Sequence, residues 1–234
     1  MHPAVLFLLA KKPEFVLTLS SHAYAPNLRS LAIAAGWNGI SALLVNITAP
    51  TIGALSVPTA GAASFPGGLK IRIGASTMVS AVAASGSTSG DALTAAQPVT
   101  VENLGYIYAP GGQGGTGGSA TVRNGSGGFK TATGGLGGTG NGVDSAGSQT
   151  RAAGSAGTTQ TDGGFPPYTA KGGTGGYGGT WGENGATGAS GTTNDPTGVA
   201  NAGIVGRSAG RAIVGDSFIT WVGGTRGNTI GTIA

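Results

Sequence analysis

The chain has 234 residues, 49 of them glycine and none cysteine, and only 9% are charged where ~25% is usual. The absence of cysteine excludes a disulfide framework and any thiolate metal centre. The net charge of +4 comes from 12 scattered Lys and Arg against eight acids, with no basic run beyond Lys11-Lys12, so the high pI is not a nucleic-acid signature.

Residues 1–10 (MHPAVLFLLA) hold a short apolar run followed by Lys11-Lys12. A secretory signal carries its positive charge before the apolar run, and this run is too short to span a bilayer. The expectation is a buried strand or docking segment, with no membrane insertion. Residues 14–20 (EFVLTLS), 41–48 (SALLVNIT), 68–74 (GLKIRIG) and 98–108 (PVTVENLGYIY) read as strands, the third with Leu69, Ile71 and Ile73 on one face and Lys70 and Arg72 on the other. Pro and Gly fall between these runs, which predicts short antiparallel strands in a sandwich or roll, a sandwich-like domain over residues 1–104. The stretch LRSLAIAAGW from Leu28 is ambiguous and leaves room for a single helical turn.

Glycine then changes the chain's character. Nine glycines precede Gly105, 31 lie from Gly105 to Gly191, and nine follow. From Gly173 to Gly191 glycine recurs at every third position, and a second register adds Gly172, Gly175 and Gly178. The same beat occurs in GGQGGTGG from Gly111 and GGLGGTG from Gly134. Three is the period of neither helix nor strand but of the polyproline-II conformation. Such a helix has no internal hydrogen bonds, and glycine loses more conformational freedom on folding than any other residue, so an isolated segment should not order. Several side by side can bond N–H to C=O between neighbours, and the glycine face permits the approach. The prediction is a polyglycine-II bundle over residues 105–210, followed by short closing strands over 211–234. Collagen is excluded by the interrupted triplets and by only three prolines (Pro110, Pro166 and Pro167) in the region.

Chemistry is sparse. GQGGTG from Gly112 matches G-x-G-x-x-G, but more glycine follows it instead of a helix, and no acid stands at the required distance. His2 and His22 have no motif around them, the acids are singletons, and no cofactor or metal site is legible. Asn46-Ile47-Thr48 and Asn124-Gly125-Ser126 match the glycosylation triplet, which chance also produces. No enzyme is expected. The glycine region does carry Phe129, Phe165, Tyr168, Tyr177 and Trp181, with Lys130, Arg151, Asp162 and Lys171 nearby. Aromatic rings beside hydrogen-bonding groups on loops suit a protein or sugar surface, although the same rings could simply cover the bundle's sides. Between Gly140 and Gly172 the beat lapses for about thirty residues, a length of structureless chain that is uncommon and usually functional. This lapse, with shorter ones at 119–133 and 192–202, is expected to form a contacting tip with Tyr168 as its anchor.

Three stretches carry a resemblance: GWNG around Trp37, ENLGYIYAPGG at the start of the glycine region, and AIVGDSFITWV at its end. Over roughly residues 28–227 the chain resembles glycine-rich tail proteins of tailed bacteriophages. The resemblance implies a virion adhesin on the distal tail, with a polyglycine-II sandwich whose loops contact a host receptor, protein or glycan. It also implies attachment to other phage tail proteins, and phage fibres by analogy make a homotrimer an expected state. Glycine triplets are also similar to mycobacterial surface repeats and small antifreeze proteins, but the first lack this β-rich part and the second typically use disulfides. The alternative function is a rigid tail or baseplate spacer without receptor binding, and ice binding is a distant third.

Overall fold

The computed structural model describes residues 14–59, 61, 64–82, 90–164 and 167–234. The apolar run at 1–10, with the docking role expected of it, lies outside these residues, as does Phe165.

The β-rich part winds as a three-sided coil. Phe15–Leu19, Leu43–Ile47, Leu69–Ile73, Val99–Asn103 and Ile219–Trp221 form one five-stranded sheet. Ala23–Tyr24, Thr51–Gly53, Met78–Ser80, Tyr106–Tyr108 and Asn228–Ile230 form a second, and Leu55–Val57, Leu93–Ala95, Arg211–Val214 and Thr232–Ile233 a third. Every pairing within these three sheets is parallel. From the second turn on, each turn of the coil therefore supplies one strand to each sheet in chain order. In the first turn the helix Leu28–Ala34 stands where the later turns place their third strand. Asn27 caps that helix, its Oδ1 accepting from the Ser30 N–H at 3.0 Å.

The antiparallel sandwich expected from the sequence is thus replaced by parallel winding. Alternation of apolar and polar residues reports that one strand face is buried, and it is blind to the direction of the neighbour. The register stacks like on like: Leu17, Val45, Ile71 and Val101 are consecutive partners, as are Leu19, Ile47 and Ile73. Leu43, Val45, Ile47, Ile71 and Ile73 are fully buried, and each such side chain contributes about 1.5–3 kcal/mol. Polar groups inside the coil find partners in adjacent turns. Thr77 Oγ1 donates to the Ala49 carbonyl at 2.8 Å and Ser80 Oγ to the Tyr108 carbonyl at 2.8 Å. On the outer face Arg72 and Glu102, directly opposite in register, form an ion pair at 2.8 Å.

The glycine region is an insertion into the fourth turn of this coil, between Tyr106–Tyr108 and Arg211–Val214. Its two ends meet, the Gly210 N–H donating to the Pro110 carbonyl at 3.0 Å. Between them run six extended segments, at 110–119, 133–141, 151–158, 172–180, 183–191 and 201–210, alternating in direction. Their backbone bonds advance three residues at a time. The N–H groups of Gly111, Gly114 and Gly117 in segment one donate to Asn141, Gly138 and Gly135 in segment two. Those of Gly112, Gly115 and Gly118 donate to Glu183, Ala186 and Ala189 in segment five. Segment four closes the triangle, with Gly173, Gly176 and Gly179 donating to Gly118, Gly115 and Gly112.

The full pattern puts the segments in two rows of three: two, one and six in one row, three, four and five in the other. Segments one and four are central and bond to four neighbours each, whereas segments three and six bond to two. The repeat is Gly-Gly-x in segments one, two and four, and about one glycine in three in segments three, five and six. A Cβ at Gly114, Gly137 or Gly175 would overlap the carbonyl of Gly176, Gly114 or Leu136 respectively. The third residue of each triplet, Gln113, Thr116, Leu136 or Tyr177, is the more exposed one.

The structure departs from the sequence pattern at two places. The unbroken beat from Gly173 to Gly191 is two antiparallel segments joined by a turn at Trp181-Gly182, where Gly182 has φ +71° and packs on Gly231. The thirty-residue lapse is no structureless loop. It comprises the hairpin Gly142–Val143 with Gln149–Thr150, then the third segment, then the paired strands Thr159–Thr161 and Thr169–Lys171.

Candidate functional site

The bundle has two unlike ends. At the near end, Thr51 Oγ1 donates to the Gly147 carbonyl at 3.3 Å, the Val143 N–H to Ala81 at 3.2 Å and the Gly182 N–H to Ala109 at 2.9 Å. Trp181 lies against Tyr108, with ring centroids 5.6 Å apart. These contacts fasten the bundle to the coil.

The far end gathers residues 119–133, 158–164, 167–172 and 191–201. Ala120–Arg123 pairs with Phe129–Ala132, and Thr159–Thr161 pairs with Thr169–Lys171, which pairs in turn with Thr192–Thr193. The two small sheets close over four buried side chains, Ala120, Val122, Ala132 and Ala170. A core this small leaves stability to polar ties between loops. Lys130 Nζ donates to the Thr161 carbonyl at 2.9 Å, and the Thr121 N–H to Val199 at 2.8 Å.

Asp195, 3% exposed, makes a further tie. Its carboxylate accepts the Arg123 N–H at 2.6 Å, the Thr197 N–H at 2.8 Å and the Thr197 hydroxyl at 2.8 Å. The Arg123 guanidinium donates in turn to Thr197 Oγ1. The backbone bonds from Arg123 and Thr197 hold the Asp195 carboxyl below its ordinary pKa. Sequence reasoning missed this cluster, since Asp195 and Arg123 are 72 residues apart. The only local signal was Asn194-Asp195-Pro196, a turn-forming run.

Of the residues singled out from the sequence, Phe129, Lys130, Asp162, Tyr168 and Lys171 come together at the far end. Phe129 is 55% exposed and Tyr168 37%. Asp162 is turned inward on its own loop, Oδ1 accepting from the Gly164 N–H at 2.8 Å and the Tyr168 N–H at 3.0 Å. The second of these bonds ties the Tyr168 backbone to Asp162. Arg151, Tyr177 and Trp181 lie elsewhere. Arg151 begins the third segment and, with Ala152, Ala153 and Tyr177, lines a shallow cleft of about 280 Å³ on the bundle's flank. Trp181 belongs to the near end. On the opposite flank, Leu136, Ile204 and Val205 stand out over a cleft of about 430 Å³ floored by glycine.

Among the described residues no group of His, Asp and Glu could hold a metal ion. A rigid frame carrying loops at the end away from its attachment suits recognition of another surface. The family model for the phage tail fibre adhesin Gp38 matches residues 14–234. The chain belongs to this family. No curated protein and no solved structure matches it. Membership makes the protein a phage tail component with a receptor-binding role in the tail fibre. In this adhesin the coil and the bundle together account for almost the whole family match.

Proposed function

We propose that the adhesin contacts the host surface through the far end of its glycine bundle, and that it acts by adhesion, without catalysis. The six segments are polyglycine-II helices on this reading, supported by backbone bonds that recur every third residue and by glycine wherever two segments touch. The carrying observation is topological. All three loop groups freed from the triplet pattern at the far end converge on one surface, while the bundle's other end is fastened to the coil.

Phe129 and Tyr168 supply exposed ring faces there, and the exposed Lys130 and Lys171 supply charge. Rings with few rotatable bonds and loops already tied down lose little entropy on binding. The receptor is an outer-membrane protein or a surface glycan, the coil faces the rest of the tail, and a homotrimer is the state of this adhesin that phage fibres suggest by analogy.

Purified adhesin should compete with phage for host cells and slow adsorption in proportion to the sites it covers. Absence of any cell binding at saturating protein would favour the second function class, a rigid spacer within the tail.

A further inference from the structure

The chain has four Asn-Gly pairs, at Asn38, Asn124, Asn141 and Asn184, and the structure treats them very differently. Asn184 and its glycine are locked into the bundle. Asn184 Oδ1 accepts from the Ala209 N–H at 2.9 Å, and the Gly185 N–H donates to Arg207 at 2.9 Å. Asn141 donates its N–H to Gly179, and Gly142 is held in a strand pair opposite Thr150. Asn124 sits on the far-end hairpin, followed by residues 125–128, all exposed. Among the described residues the Gly125 N–H has no partner, and a Cβ there would meet nothing within 4 Å. Asn124 Oδ1, in contrast, accepts three hydrogen bonds, from the Ser126 N–H at 3.1 Å, the Ser126 hydroxyl at 2.9 Å and the Gly128 N–H at 2.9 Å.

We propose that Asn124 is a self-modification site, converting spontaneously to aspartate and isoaspartate through a cyclic imide closed by Gly125. Attack of the Gly125 nitrogen on Asn124 Cγ forms a new C–N bond and drives an electron pair onto Oδ1. Three donors already stand where that negative charge develops, the arrangement that stabilises a tetrahedral intermediate in acyl transfer. The Gly125 proton passes to solvent, solvent protonates Nδ2, and the Cγ–Nδ2 bond breaks to release ammonia. One water then opens either C–N bond of the imide, leaving aspartate or isoaspartate. Glycine at 125 is what makes the approach open, because no side chain shields its nitrogen. Asn38 shares part of this arrangement, with Oδ1 accepting from the Ile40 and Ser41 N–H groups at 2.9 and 2.8 Å, so it ranks second. The product adds a negative charge to the surface that the proposed function assigns to the receptor, and that consequence alone rests on the proposed function.

The test is peptide mass spectrometry with enzymatic isoaspartate labelling of the full-length protein, aged in mildly alkaline buffer. Conversion at Asn124 is expected about tenfold faster than at Asn141 and Asn184, equivalent to a barrier difference that any modest electrostatic stabilisation supplies. Ser126→Ala should slow it about two- to threefold by removing one donor, Ser126→Thr should restore it, and Gly125→Ala should nearly stop it, none shifting the melting temperature. Equal rates at Asn124 and Asn184, or a rate at Asn124 indifferent to Ser126→Ala, would overturn the proposal. Full conversion at Asn124 with unchanged adsorption would leave the chemistry standing and count against the far end as the receptor surface.

Discussion

Asp195 accepts three hydrogen bonds, from Arg123 and Thr197, and so joins two loops that share little apolar contact. Asp195→Ala leaves the Arg123 N–H without its partner. It should raise hydrogen exchange across 119–133 and 191–201 and weaken adsorption while the main melting transition survives. The pH dependence has a fixed sign. A carboxyl with lowered pKa in the folded state contributes stability that is present above the unfolded value of about 3.9 and is lost as pH falls through the folded one. Loosening of the far-end loops in acid should therefore begin below about pH 4 and be absent from Asp195→Asn. Asp216 in the last turn of the coil, lowered chiefly by the Arg226 side chain, follows the same sign.

At the scale of the element, glycine is a steric requirement of each segment. Gly185 faces the Gln113 carbonyl, and a side chain there would push segments one and five apart. Gly185→Val should cost about 3 kcal/mol or more by overpacking, read as lost soluble yield or a lower thermal midpoint. Thr187→Val, on the exposed register two residues away, should stay within about 0.5 kcal/mol. The glycine beat itself is legible in the sequence because it reflects this packing directly. The chain reversal at Trp181-Gly182 is not, since the turn uses a glycine that falls on the beat for a different reason, its positive φ. Strand positions such as Leu69–Ile73 were readable from alternation. Their parallel pairing was recoverable only from spacing: the strands of the first sheet start at Phe15, Leu43, Leu69 and Val99, 28, 26 and 30 residues apart. A repeat of that length is the mark of a coil whose turns stack. Phe129 and Tyr168 could be found from composition, whereas Asp195 depends on contacts 72 residues apart in sequence.

For the whole molecule, the insertion of the bundle into one turn of the coil means that attachment and recognition can be separated. Since Pro110 and Gly210 are hydrogen-bonded neighbours, residues 111–209 should be replaceable by a short polar turn without unfolding the coil. Such a variant should keep cooperative melting and lose all competition for host cells. A coil that cannot fold without the bundle would show that the near-end contacts of Tyr108, Trp181 and Gly147 are part of its core stability.

The most direct test is the adsorption rate of particles carrying Phe129→Ala and Tyr168→Ala together, with incorporation and melting temperature measured alongside. Loss of two exposed ring anchors should slow adsorption by about tenfold or more, at unchanged incorporation and stability. Adsorption at the parental rate, or its loss through changes confined to the coil, would contradict recognition by the far end of the bundle.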